Sequence, residues 1–154
     1  MGLQNEAETL INAWRALTGN EPSEGWRTIP VSSGLICRLL AGRHFPGNKE
    51  AVLVGFHPVQ IPANAFLPEG NGFVVKKVDL KLDSEPRTWF ALLRQETGSL
   101  DMFTMMASDI VKIINISNME TDERLLNLFL GRIRAWQSFM QRGNELVLSS
   151  EAEV

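Results

Sequence analysis

Glu69, Asp79 and Lys81 are the residues of this sequence whose types and spacing come nearest to a reactive site. Glu69 follows Pro68, and Asp79-Leu80-Lys81 comes after nine intervening residues. An acid, a spacer and an acid-x-lysine step is the pattern of metal-dependent nucleases. Two carboxylates hold magnesium there, and the lysine orients the attacking water. Alternation along a strand would put Asp79 and Lys81 on one face. Lys77 shares that face, however, and Lys–Asp–Lys alternation is also the ordinary surface of a solvated strand. Glu69 falls in a loop. So short a pattern arises readily by chance, and a small magnesium nuclease built on these residues is the alternative reading, not the first.

The other reactive side chains suggest less. His44 and His57 stand thirteen positions apart at the two ends of one strand, too far to share an ion at ~3.3 Å per residue. They are expected at turns, facing solvent. Cys37 sits among Leu35, Ile36 and Leu39 and reads as a small core hydrophobe, not a thiolate. One cysteine gives neither a zinc spacing nor a disulfide framework. No Gly-x-Ser-x-Gly elbow or phosphate-cradling glycine loop occurs, and Gly70-Asn71-Gly72 precedes a strand, so it is a turn. The first reading therefore expects no catalytic residue, no metal and no cofactor. Contact with nucleic acid or a partner is carried by arginines: Arg38 and Arg43 on the first hairpin, and Arg124, Arg132, Arg134 and Arg142 on the last helix. They do not form one stripe, and a solvated helix face explains them as well.

The elements that must position these residues follow from periodicity. Leu3, Ala7, Leu10, Trp14 and Leu17 repeat at helical spacing, with Asn5 and Glu8 to cap the helix and Gly19 to stop it. Strand-like segments then run from Trp26 to Val31, from Leu35 to Ala41, from Glu50 to Phe56, from Gly72 to Leu82 and from Thr88 to Arg94. Gly42–Asn48 reads as a hairpin loop and His57–Asn71 as a long polar connection. In the fourth strand Val74, Val78, Leu80 and Leu82 make the inward set. Leu100, Phe103, Ala107, Ile110, Val111 and Ile114 mark a second helix. A third runs from Glu120 to Arg142, capped by Ser117 and Glu120 and ended by Gly143. Its stripe of Leu125, Phe129, Ile133, Trp136 and Met140 must bury against the rest, and truncating a buried Trp136 would cost ~3–5 kcal/mol.

Strands in a block followed by helices in a block describe an α+β fold. We expect an N-terminal helix, an antiparallel meander of about five strands, and two antiparallel helices on one sheet face. Residues 1–148 form a single domain and 149–154 a C-terminal tail. A net charge of −3 supplies no global field toward nucleic acid or an anionic membrane. No apolar run is long enough to span a bilayer, and no basic-then-apolar leader opens the chain, so the expected location is the cytoplasm with no membrane partner.

The order of features also resembles a known family. Trp14 lies in a first helix, Gly25-Trp26 opens a strand, and Gly42-Arg43 leads through Gly47 to Ala51-Val52-Leu53. Leu100-x-x-Phe103 then leads into Asp109-Ile110-Val111, and the last helix carries Arg132-x-x-x-Trp136-Gln137. From about Glu8 to Leu148 this is similar to the N-terminal region of the PD-(D/E)XK family of restriction-endonuclease-like bacterial proteins, often found near phage-defence genes. The resemblance implies an endonuclease whose catalytic core lies further along than Ser149-Ser-Glu-Ala-Glu-Val. No catalytic residue of the family then carries over to a position here. It implies a non-catalytic accessory module with DNA, other subunits of a defence complex or further copies of itself as partners. A purely structural subunit of a larger assembly is the third reading.

Overall fold

Asn5 opens the first helix as its spacing to Glu8 predicts, its side chain accepting a hydrogen bond from the Glu8 amide at 2.8 Å. The computed structural model describes residues 5–19, 24–32, 37–58, 67–80, 82, 86–117 and 120–152, with the side chains of the last helix as far as Arg142. Along the chain run α1 (Glu6–Ala16), β1 (Gly25–Pro30), β2 (Arg38–Phe45), β3 (Lys49–Phe56), β4 (Glu69–Gly70), β5 (Phe73–Val78), β6 (Thr88–Arg94), α2 (Leu100–Ile116) and α3 (Asp122–Ala152). The strands form one sheet in the order β1-β2-β3-β6-β5-β4, and every described pairing is antiparallel. The α+β class and the sequence of helix, strands and two helices are those expected. One feature of the order was not: β6 returns between β3 and β5, which leaves β4 and β5 as an outer hairpin.

All three helices cover one face. Leu10 and Trp14 of α1, Phe103, Met106 and Ile110 of α2, and Leu125, Phe129 and Ile133 of α3 are buried over sheet residues such as Val52, Val54, Phe90 and Leu92. Each large apolar group buried there contributes about 2 kcal/mol of transfer free energy. Phe56, Phe90 and Phe129 meet with ring centroids 6.1 to 6.4 Å apart, joining β3 and β6 to α3. The helix pair is antiparallel. Asp109 of α2 meets Arg132 and Trp136, whereas the earlier Met102 and Met106 share a groove with the later Phe139 and Met140.

The opposite face of the sheet is not bare. Leu40, Ala51, Leu53, Trp89, Ala91 and Leu93 are buried on it, with Trp26, Val74, Val78 and Leu80 packed around them. Two expectations change as a result. The fourth expected strand is shorter than its pattern, ending at Val78, and Leu82 beyond it is 48% exposed. Its inward set is also only half right: Phe73 and Val75 feed the helical core, while Val74, Val78 and Leu80 face the second cluster. Where both faces are covered, alternation cannot say which side is inside. Leu3, Leu35, Ile36 and Lys81 lie outside the described residues.

Two boundaries are corrected as well. The expected loop at Gly42–Asn48 is mostly strand, because β2 continues to Phe45 and turns only at Pro46–Asn48. Gly42 pairs with Thr28 and Ala51, and a Cβ there would come within 2.5 Å of the Leu53 side chain. That glycine marks close packing, not a turn. The last helix is capped by Thr121, whose hydroxyl accepts from the Arg124 amide at 3.3 Å, and not by Ser117 with Glu120. It then runs through Gly143 to Ala152. A glycine inside a helix costs only ~1 kcal/mol relative to alanine, too little to end one by itself.

Candidate functional site

Glu69 and Asp79 stand at opposite ends of β5. Glu69 pairs with Val74, and Asp79 comes five residues further on, about 16 Å away at ~3.3 Å per residue. Both are exposed. Lys81 lies outside the described residues. The structure does not bring the two described members of the set together.

The arginines divide. Arg132 donates two hydrogen bonds to Asp109, Nε to Oδ2 at 2.7 Å and Nη2 to Oδ1 at 2.9 Å, and Trp136 Nε1 donates to the same carboxylate at 2.8 Å. Hydrogen bonding from Arg132, more than any other cause, holds the Asp109 carboxyl below the usual carboxylate range. This clamp fastens α2 to α3. Arg124 is exposed and pairs with Glu120 one turn away. Arg142 is exposed on α3, and Arg134 lies on the same helix. Arg38 opens β2 opposite Gly55. Arg43 is directed inward, its Nε donating to the Trp14 carbonyl at 2.7 Å and its Nη1 to the Asn48 carbonyl at 3.0 Å.

Arg43 also stands beside a carboxylate that the sequence reading missed. Glu50 is 4% exposed, and Arg94 approaches its Oε1 at 2.8 Å through both Nε and Nη2. The signal was present. Glu50 precedes Val52, Val54 and Phe56 in the same alternation, so strand parity already placed it inward. A carboxylate buried in this way needs cations beside it. β2 and β6, its neighbours across and along the sheet, supply them.

His57 is exposed at the bend that follows β3, as expected, whereas His44 is not at a turn. His57 Nδ1 lies 2.9 Å from Asp122 Oδ2, and its amide donates to Asp122 Oδ1 at 3.1 Å, tying the end of β3 to the start of α3. His44 sits within β2, its ring tilted by 53° against that of Trp26 with centroids 4.6 Å apart. Burial first, and then the charge of Lys76, lowers its pKa below the ordinary histidine value. Cys37 is core, as read: burial pushes its thiol up to about 11.

The charge on the sheet was hidden by the chain's net value. The described strands carry seven cations, Arg27, Arg38, Arg43, Lys49, Lys76, Lys77 and Arg94, against the carboxylates of Glu50 and Glu69. On the face away from the helices, register aligns Trp26, His44 and Lys49 across β1, β2 and β3. Lys76 acts on His44 from the other half of the sheet.

Comparison with known families gives one match. The model of the family described as "Putative PD-(D/E)XK family member" (DUF4420) covers residues 10–154. The chain belongs to this family. No curated protein and no solved structure matches it.

For a PD-(D/E)XK family member magnesium is the implied metal, and the described carboxylates do not fit it. Glu69 and Asp79 are separated, Glu50 is enclosed by arginines, and among the described residues no three of His, Cys, Asp or Glu gather in one place. Among the described residues no helix is long and apolar enough to cross a membrane.

Proposed function

We infer that this chain is a non-catalytic accessory module of the PD-(D/E)XK family that contacts DNA, using the strands more than the last helix. The distribution of charge carries the reading. A chain of net charge −3 carries seven cations against two carboxylates on its described strands; Arg43 and Arg94 are spent on Glu50, which leaves five cations against Glu69. Phosphate contact is decided by the field within a Debye length, ~8–10 Å, so a local surplus of this kind acts whatever the total. Lys76 and Lys77 are exposed, and Lys49 is half-exposed beside the tilted Trp26–His44 ring pair. An aromatic pair next to a cation offers an unpaired base a surface on which to stack. The last helix contributes less, because Arg132 is committed to Asp109 and Arg124 has Glu120 beside it.

Fluorescence anisotropy of labelled single-stranded and duplex oligonucleotides, titrated with salt, tests this. Binding should weaken linearly on a log–log plot, with single strands held more tightly. Each phosphate contact removed by Lys49→Glu or Lys76→Glu should flatten the slope by about 0.7 to 0.9. Unchanged slopes in both variants would refute the assignment to the strands.

A further inference from the structure

α2 packs against both α1 and α3, and two stripes of side chains run along it at the same helical spacing. Phe103, Ala107, Ile110 and Ile114 are buried in the core. Asp101, Met105, Ser108 and Lys112 each stand two residues earlier, about 200° round the helix, and so face outward. A surface helix ordinarily turns a polar face to water. On this one Met102, Met105 and Ile116 are 39%, 57% and 73% exposed, and Phe139 of α3, which shares a groove with Met102, is 60% exposed. Exposed apolar side chains gathered in this way mark an interface.

The charges say what covers it. Asp101 and Lys112 stand at opposite ends of the outward stripe, about three turns apart, with Met105 and the small Ser108 between them. Both are exposed, and among the described residues no ion pair takes up either charge. Asp109, the other acid of α2, is held by Arg132 first, with Lys112 a lesser influence. An acid at one end and a base at the other complement the same helix turned end for end.

We propose that α2 is the contact between two copies of this chain, lying antiparallel to its counterpart about a two-fold axis between Met105 and Ser108. Asp101 of each copy then faces Lys112 of the other. The same register carries Ile116 of one copy over the start of the other's α2. Ile116 is about two turns beyond Asp109, and therefore on the side of the helix that faces α3. On that side, at the start of α2, a groove of about 410 Å³ is lined by Thr97, Met102, Phe103 and Phe139. Ile116 enters it in both copies, because a two-fold contact uses one surface twice. The 17 residues of α2 make the contact ~25 Å long. The face bearing Trp26, His44 and Lys49 lies on the other side of the sheet and stays open in both copies.

Sedimentation velocity of the intact chain, from about 5 μM to about 500 μM, tests this: the mass should pass from one chain toward two as concentration rises. Asp101→Lys and Lys112→Asp each set like charges across the contact twice, and each should weaken the dimer at least ~tenfold at low salt. Combined, the two exchanges restore opposite charges and should return the association constant to within ~threefold of the wild type. Ile116→Glu, at an exposed position, should weaken the dimer as much and serves if a charge variant fails to fold. One chain at every concentration overturns the assignment and leaves this face to a different protein. So does a dimer indifferent to the single charge reversals or to Ile116→Glu, or one that the double exchange fails to restore.

Discussion

Arg132 shows how a residue expected to face a partner can instead belong to the fold, through Asp109. The Asp109 carboxylate takes hydrogen bonds from both Arg132 and Trp136, so the arginine is tied to a neighbouring helix. Both side chains are partly exposed, and solvent screening keeps the pair modest: Arg132→Ala should lower stability by about 1 kcal/mol in urea unfolding. No change would mean that the pair is idle in solution. His44 gives a prediction with a definite sign. Its folded pKa is lowered, so the folded state resists protonation and the unfolded chain binds the proton more readily. The stability it contributes is present above the ordinary histidine range and is lost as pH falls through that range. Between about pH 7.5 and pH 5 the wild type should lose more stability than His44→Phe, which keeps a ring against Trp26 but cannot titrate. Equal losses would show that burial and Lys76 do not act on this ring.

At the scale of elements, burial separates side chains that periodicity treats alike. Phe129 is wholly buried against Phe56 and Phe90, whereas Trp136, two turns on, is half-buried with its indole nitrogen on Asp109. Phe129→Ala should cost ~3–5 kcal/mol, and Trp136→Ala roughly 2 kcal/mol, less than its place in the apolar stripe suggested. A Trp136→Ala loss equal to that of Phe129→Ala would mean that the tryptophan is packed more completely than the structure describes. The helices and their faces were legible because one covered side imposes a 3.6-residue rhythm, and the cap at Asn5 is a local device; the cap at Ser99 was not read. β6 was read from Thr88 to Arg94 without error. Other features depended on contacts distant in sequence. Gly42 looks like a turn until Leu53 is seen against it, and Val74 looks inward until Phe73 is found beneath the helices. The site was less legible than the fold. Glu50 was marked by parity alone, and the cationic strands were concealed by acids elsewhere in the chain.

At the scale of the whole molecule, the domain divides its labour between a helical side that closes the core and a sheet that concentrates positive charge. Among the described carboxylates, Glu50 and Asp109 are paired, and Glu69 and Asp79 are set apart from each other. Such a domain should hold DNA and leave it intact. The most direct test is to incubate the protein with a labelled single-stranded oligonucleotide and Mg²⁺ at low salt, then assay binding and strand length in the same sample. Retained, full-length oligonucleotide is the expected result. Shortened product that disappears in Asp79→Ala would contradict it, and so would the absence of any complex at the lowest salt.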